Sequence, residues 1–196
     1  MNKVKIIFLS ITTILIFSCK GNLQKNIEIN QNEANLPVVI RLAKDNKDRV
    51  ISLELPGTLK IENSTNERVK FLRIYYKYNE NIPQERKSGF GISLYDIKNE
   101  LLENIRNKKT IMKDGEILNY IFYSSHYIDS TISKELISYS QKTYPTDKDT
   151  LHIGTVDEFK QKHKELFEKL TKNDSISIQF LDGKKLGERV TVPVEW

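Results

Sequence analysis

Cysteine is nearly absent: Cys19 is the single one in 196 residues. No disulfide can form within the chain, so any fold must rest on a hydrophobic core. A folded part of about 160 residues is long enough for one, burying roughly two thirds of its unfolded surface. Histidine is scarce too, at three: His126, His152 and His163, with no H-x-x-H or H-E-x-x-H spacing. A zinc site needs three or four ligands, and this supply does not suggest one. Glycine-rich signatures are missing. Gly89-Phe90-Gly91 lacks the lysine and helix start of a phosphate loop, and Gly91-Ile92-Ser93 is not the elbow that presents a serine nucleophile. Ser125 stands beside His126, but neighbours in a strand point to opposite faces and would not meet. The reading leans away from an enzyme and predicts no metal and no dissociable cofactor.

Charge of one sign is also thin. The formal excess is +5 in a chain that is 29% charged, and the basic pairs Lys108-Lys109 and Lys184-Lys185 stand apart beside turn-like residues. A nucleic-acid footprint needs clustering, so none is expected. Only one long apolar run exists. Met1-Asn2-Lys3-Val4-Lys5 carries two lysines and no acid, and the 12 residues from Ile6 to Phe17 follow with only Ser10, Thr12 and Thr13 interrupting. This is a signal-peptide pattern. As a helix the run reaches roughly 18 Å, short of the ~30 Å hydrocarbon core.

The run ends in Ile16-Phe17-Ser18-Cys19, which resembles the lipobox of bacterial lipoproteins: an aliphatic residue at −3, a small one at −1 and the cysteine at +1. Phe17 departs from the usual small or mid-sized residue at −2. The resemblance covers about the first nineteen residues. It implies cleavage after Ser18, a diacylglyceryl group on the Cys19 thiol, and an N-acyl chain on the new amino group. Lys20 is not the aspartate that the family associates with retention at the inner membrane, so the resemblance implies the outer one. Loss of Lys3 and Lys5 would bring the mature charge to +3.

The expected organisation is a signal peptide over 1–18, a lipidated cysteine with a flexible tether over 19–37, and one β-rich domain over 38–196. Lys20 to Pro37 is polar and asparagine-rich, with too few apolar residues to pack. Beyond it, short β-type runs alternate with turn signals: Val38–Leu42, Val50–Leu55, a turn at Pro56-Gly57, Thr58–Glu62, and a long strand from Val69 to Tyr78 with Leu72, Ile74, Tyr76 and Tyr78 on one face. Ile92–Glu103 fits a hairpin turning at Lys98-Asn99 better than a helix, and Ile117–Tyr123 is a further strand.

One helix is clearly signalled from Val156 to about Lys172. Thr155-Val156-Asp157-Glu158 is a capping box, and Val156, Phe159, His163, Leu166, Phe167 and Leu170 share a stripe. A shorter helix fits Thr131–Tyr139. The chain closes on a hairpin in which Ile176, Ile178 and Phe180 alternate before Asp182-Gly183, and Leu186, Val190, Val192, Val194 and Trp196 alternate after it. Pro193 marks that last strand as an edge.

These features predict a mainly β fold, an immunoglobulin-like β-sandwich with an amphipathic helix laid on it. The alternative is an α+β open antiparallel sheet. Nine tyrosines are the one compositional excess. They suit half-buried sheet faces or an interface, and the stretch holding Tyr123, His126, Tyr127, Tyr139 and Tyr144 is the candidate binding surface. The expected role is a binding or assembly module held to a membrane and meeting a protein partner in the envelope. The alternatives are an immunity or inhibitor protein against an envelope-targeting toxin or hydrolase, and a small periplasmic hydrolase.

Overall fold

The computed structural model describes residues 26–78, 91–98, 101–105, 108–142 and 149–196. The expected signal peptide, Cys19 and Tyr144 lie outside them. In chain order the elements are β1 (Ile27–Glu33), β2 (Val39–Leu42), β3 (Val50–Asn63), β4 (Val69–Lys77), β5 (Ile92–Lys98), β6 (Leu101–Ile105), β7 (Thr110–Met112) and β8 (Ile117–Tyr127). Then come α1 (Ser130–Lys142), β9 (Thr150–His152), α2 (Val156–Lys162), α3 (Lys164–Thr171), β10 (Ser175–Asp182) and β11 (Lys185–Pro193).

The fold is mainly β, and its sheets are antiparallel. One sheet runs β6-β5-β8-β3-β2-β9, with β1 also paired to β3; the other runs β11-β10-β4-β7. The 14-residue β3 organises the larger sheet. Its inward side chains Leu53, Leu55, Leu59 and Ile61 are fully buried, and Glu54, Thr58, Lys60 and Glu62 alternate with them on the outer face. The two halves of β3 serve different cores. Leu53 and Leu55 pack with Ile40 and Leu42 of β2 under Ile132, Leu136, Phe159 and Phe167 of the helices. Leu59 and Ile61 join Phe122 against Phe71, Ile74, Ile178 and Phe180 of the second sheet, where Phe71 and Phe180 meet edge to face at 6.2 Å. Trp196 packs against both cores, its ring 6.2 Å from Phe122 and 6.1 Å from Phe167.

Several expectations need correction. Residues 27–33, assigned to a flexible tether, form β1, paired with β3 from Ile27↔Asn63 to Glu33↔Gly57. Two side chains suffice to seat this polar segment, with Ile27 and Ile29 turned to the core. Pro56-Gly57 is no turn: both lie inside β3, Pro56 opposite Tyr123 and Gly57 opposite Phe122 of β8. Proline lacks an N–H, and residues 55–56 are the stretch of β3 that neither β2 nor β1 pairs.

On β4 the strict alternation fails. A register shift opposite Gln179/Phe180 turns Phe71 inward along with Ile74, and leaves Leu72 exposed. A second shift in the β10–β11 ladder leaves Leu186 68% exposed, where it was expected inside. The hairpin of β5 and β6, the long β4, the short helix α1 and the edge position of β11 follow the sequence reading. The single long helix does not: it breaks at His163, whose φ of −128° and ψ of 45° are not helical.

Candidate functional site

Alternation along β8 turns Phe122, Ser124 and His126 toward the interior and Tyr123, Ser125 and Tyr127 outward. Ser124 and His126, two residues apart on one face, meet at 3.1 Å between Oγ and Nε2. Asp174 brings Oδ2 to 3.7 Å from the same Nε2. It arrives from the α3–β10 junction, where Asn173 takes the left-handed conformation at φ 64°. The Asp174 N–H donates to the Thr171 carbonyl, and the Val194 N–H donates to the Asp174 carbonyl. Tyr76 Oη donates to Asp174 Oδ2 at 2.8 Å. The rings of Tyr76 and Tyr78 stand edge-on to the imidazole at 6.1 and 5.2 Å.

Serine, histidine and aspartate together invite comparison with a hydrolytic triad, and the geometry departs from one twice. A triad places the acid on one ring nitrogen and the serine on the other, whereas here both approach Nε2. The group is also sealed: Ser124, His126 and Asp174 are 0, 1 and 2% exposed. The single Ser124 proton has a second acceptor in the Leu55 carbonyl at 3.3 Å. Burial pushes His126 down to about 3, the Leu170 carbonyl acting in the opposite sense. The ring is therefore neutral at pH 7. Burial, then Asp174, raises Tyr76 well above the ordinary phenol range, and burial first among several causes raises Tyr78 as well. This cluster ties β4, β8 and the α3–β10 junction together as a buried polar brace.

His163 forms a second, more open group. Its N–H closes α2 on the Phe159 carbonyl, and its own carbonyl accepts from the Phe167 N–H to start α3. Nδ1 lies 3.0 Å from Glu135 Oε1 and Nε2 lies 3.0 Å from Tyr139 Oη, both on α1. The ring stacks on Phe159 at 4.9 Å, and Lys162 Nζ sits 4.3 Å from the Tyr139 ring centroid. Glu135, Lys162 and His163 border an open groove of about 450 Å³ between α1 and the α2–α3 pair. An acid on one ring nitrogen and a hydroxyl on the other fix the imidazole as an interhelical clamp.

The outer face of the larger sheet presents a polar and aromatic surface. Tyr123 stands edge to face with Tyr95 at 5.8 Å, and its hydroxyl donates to the Pro37 carbonyl at 3.3 Å. Burial, then Tyr95 and Glu54, pushes the Tyr123 phenol up to about 12. Beside them Arg41 makes a fork onto both Glu54 oxygens at 2.9 and 3.1 Å and reaches Thr150 Oγ1 at 2.8 Å.

The predicted surface thus separates into three places. Tyr123 and Tyr127 share the outer sheet face, His126 lies in the core behind it, and Tyr139 is on α1; Tyr144 lies outside the described residues. His152 is an exposed residue of the edge strand β9. Sequence reasoning missed Asp174, Tyr76 and Tyr95. The Ser124-x-His126 spacing was a legible sign of a shared face, but no local signal marks an aspartate that arrives 48 residues after His126. Among the described residues no three or more His, Cys, Asp or Glu are arranged to hold a metal ion, and no helix is long and apolar enough to cross a membrane. No protein-family model, no curated protein and no solved structure matches the chain.

Proposed function

We propose that the chain is a bacterial lipoprotein, anchored through lipid on Cys19 at the cell envelope, at the outer rather than the inner membrane. Its β-rich domain acts there as a binding or assembly module for an envelope protein. The observation that carries the non-catalytic reading is the burial of the Ser124–His126–Asp174 group, with serine and acid on one nitrogen. The anchor is supported by the lysines, apolar run and Ile16-Phe17-Ser18-Cys19 of the leader. Two antiparallel sheets facing each other across Leu59, Phe71, Phe122 and Phe180 support a sandwich of the immunoglobulin-like kind, a shape that suggests binding only by analogy.

The partner surface is the outer face of the larger sheet, where Tyr95 and Tyr127 remain part-exposed beside the Arg41–Glu54 pair. Tyrosine and arginine are the residue types that interfaces favour. A photo-crosslinking amino acid at Tyr127 or Tyr95 in cells should give one discrete adduct with an envelope protein, absent when the probe sits at Glu168 on α3. Adducts indistinguishable between the two faces would count against this surface. For the anchor, the intact mass of the membrane-extracted protein should equal residues 19–196 plus the diacylglyceryl and N-acyl groups, and Cys19→Ser should release the protein from membranes.

A further inference from the structure

Four features meet at one pole of the molecule. The β3–β4 connection and the β7–β8 turn are joined there by Asn63, whose Nδ2 donates to the carbonyls of Glu67 at 2.9 Å and Lys113 at 2.7 Å. The β10–β11 turn lies at the same end, because Phe180 pairs with Phe71 near the start of β4 and the turn follows directly. The β5–β6 hairpin points the same way, since β5 runs from Ile92↔Ser124 to Tyr95↔Ile121, toward the start of β8. Here too the described chain begins: Ile27 pairs with Asn63, and the Ser64 N–H donates to the Asn26 carbonyl. The helices pack at the other end, over the first half of β3.

The exposed large aliphatic side chains among the described residues are Leu72, Leu102, Ile111, Ile117 and Leu186. Ile111 and Ile117 flank the β7–β8 turn, Leu186 follows the β10–β11 turn, Leu102 is the second residue of β6, and Leu72 is the fourth of β4. Ile111, Ile117, Leu186 and Leu102 therefore sit within two residues of strand ends at this pole, and Leu72 lies about 10 Å farther along β4. They belong to both sheets. A protein docking on one sheet would cover at most two of the four residues at the strand ends, whereas a surface approaching along the strand axes reaches all four.

We infer that this turn-bearing pole is the face that rests on the bilayer, its aliphatic side chains dipping into the headgroup region. The inference rests on the proposed lipid on Cys19. Seven peptide units separate Cys19 from Asn26, a reach of at most about 25 Å when fully extended and about 15 Å as a flexible coil. The strand β1 takes up what had been counted as tether, so the pole that carries Asn26 is delivered to the membrane. The turns at 64–68, 113–116 and 182–185 hold four basic and four acidic residues. The contact is therefore apolar in origin, in the manner of interfacial side chains, and does not depend on anionic lipid.

The test uses the full lipidated protein in phosphatidylcholine vesicles containing a spin-labelled lipid. An environment-sensitive dye is placed at Ile117→Cys, Leu186→Cys or, on α3, Glu168→Cys. Quenching several-fold stronger at 117 and 186 than at 168, unchanged in 1 M salt, is the expected result. Equal quenching at all three positions would overturn the docking while flotation of the protein with the vesicles still upheld the anchor; failure to float would remove both. Shielding of positions 117 and 186 that rises with protein concentration and not with lipid would assign the pole to a second copy and also overturn it. Without any substitution, tryptic cleavage at Lys184-Lys185 should slow on vesicles relative to cleavage at Lys172, and an unchanged ratio would contradict the inference.

Discussion

At Gly57 a β-carbon would stand 2.5 Å from Cζ of Phe122 and 2.7 Å from Cε1. The ring occupies the space a side chain would need, in mid-strand, and this explains why a residue that weakens strands is placed there. Gly57→Ala should cost about 1–3 kcal/mol by overpacking, and pairing it with Phe122→Leu should recover part of the loss. Equal destabilisation in single and double variants, measured by denaturant unfolding, would show that the contact is not the cause.

His126 makes a pH-dependent contribution of definite sign. The unfolded chain binds its proton near pH ~6.5, the folded chain only near 3. Between these values the unfolded state holds the extra proton, so stability falls as pH drops through that window, by about 1.4 kcal/mol per unit. Wild type should therefore lose ~3 kcal/mol more than His126→Gln between pH 6.5 and 4. Parallel losses in the two proteins would mean that the ring is not buried in its neutral form. Half of this cluster was readable in advance: period two puts Ser124 and His126 on one face. The other half was not, because Asp174 and Tyr76 are brought in by the packing of distant elements.

At the scale of elements, the capping box was legible residue by residue, and the structure forms both of its bonds. The Glu158 N–H donates to Thr155 Oγ1 at 3.2 Å, and the Thr155 N–H donates to Glu158 Oε2 at 2.8 Å. Thr155→Ala should cost ~1 kcal/mol, read as a lower midpoint of thermal unfolding. The break at His163 was not legible, since histidine is a tolerable helix residue and the apolar stripe continues through it. At the break His163 is clamped to α1 through Tyr139 and Glu135. Tyr139→Phe and Glu135→Gln should each cost ~1 kcal/mol, and a double-mutant cycle of Tyr139 with His163 should give a coupling of at least 0.5 kcal/mol, about the lower bound for groups in one network. Zero coupling would make the clamp incidental. The strand β1 escaped notice for a different reason: an edge strand needs few apolar residues, and Glu28, Asn30 and Asn32 on its exposed positions, with Gln31 on the inward phase, masked Ile27 and Ile29.

Across the whole molecule, β3 and Trp196 join a helix-covered core to a sheet-covered one. The antiparallel β character followed from strand spacing alone, but the division into two cores depends on β3 continuing through a Pro-Gly pair that local rules read as a turn. Trp196 carries a buried Nε1 with no hydrogen-bond partner among the described residues, while its carbonyl accepts from Lys160 Nζ at 2.7 Å. Trp196→Ala should lower stability by ~2–3 kcal/mol, less than the ~3–5 of a fully buried ring. Trp196→Phe should cost much less, because it also removes the unpaired donor. A single transition by circular dichroism in both variants is expected; two separated transitions would show that the cores unfold independently.

The register of β1 also decides how the domain bears load. Tension applied at Asn26 along the strand axis runs into a seven-residue ladder with β3, whose hydrogen bonds lie across the direction of pull. Such a ladder is sheared, its rungs strained together, and is not peeled open one rung at a time. A domain drawn away from its point of attachment would therefore yield late and abruptly, with β3, the strand common to both cores, taking the strain.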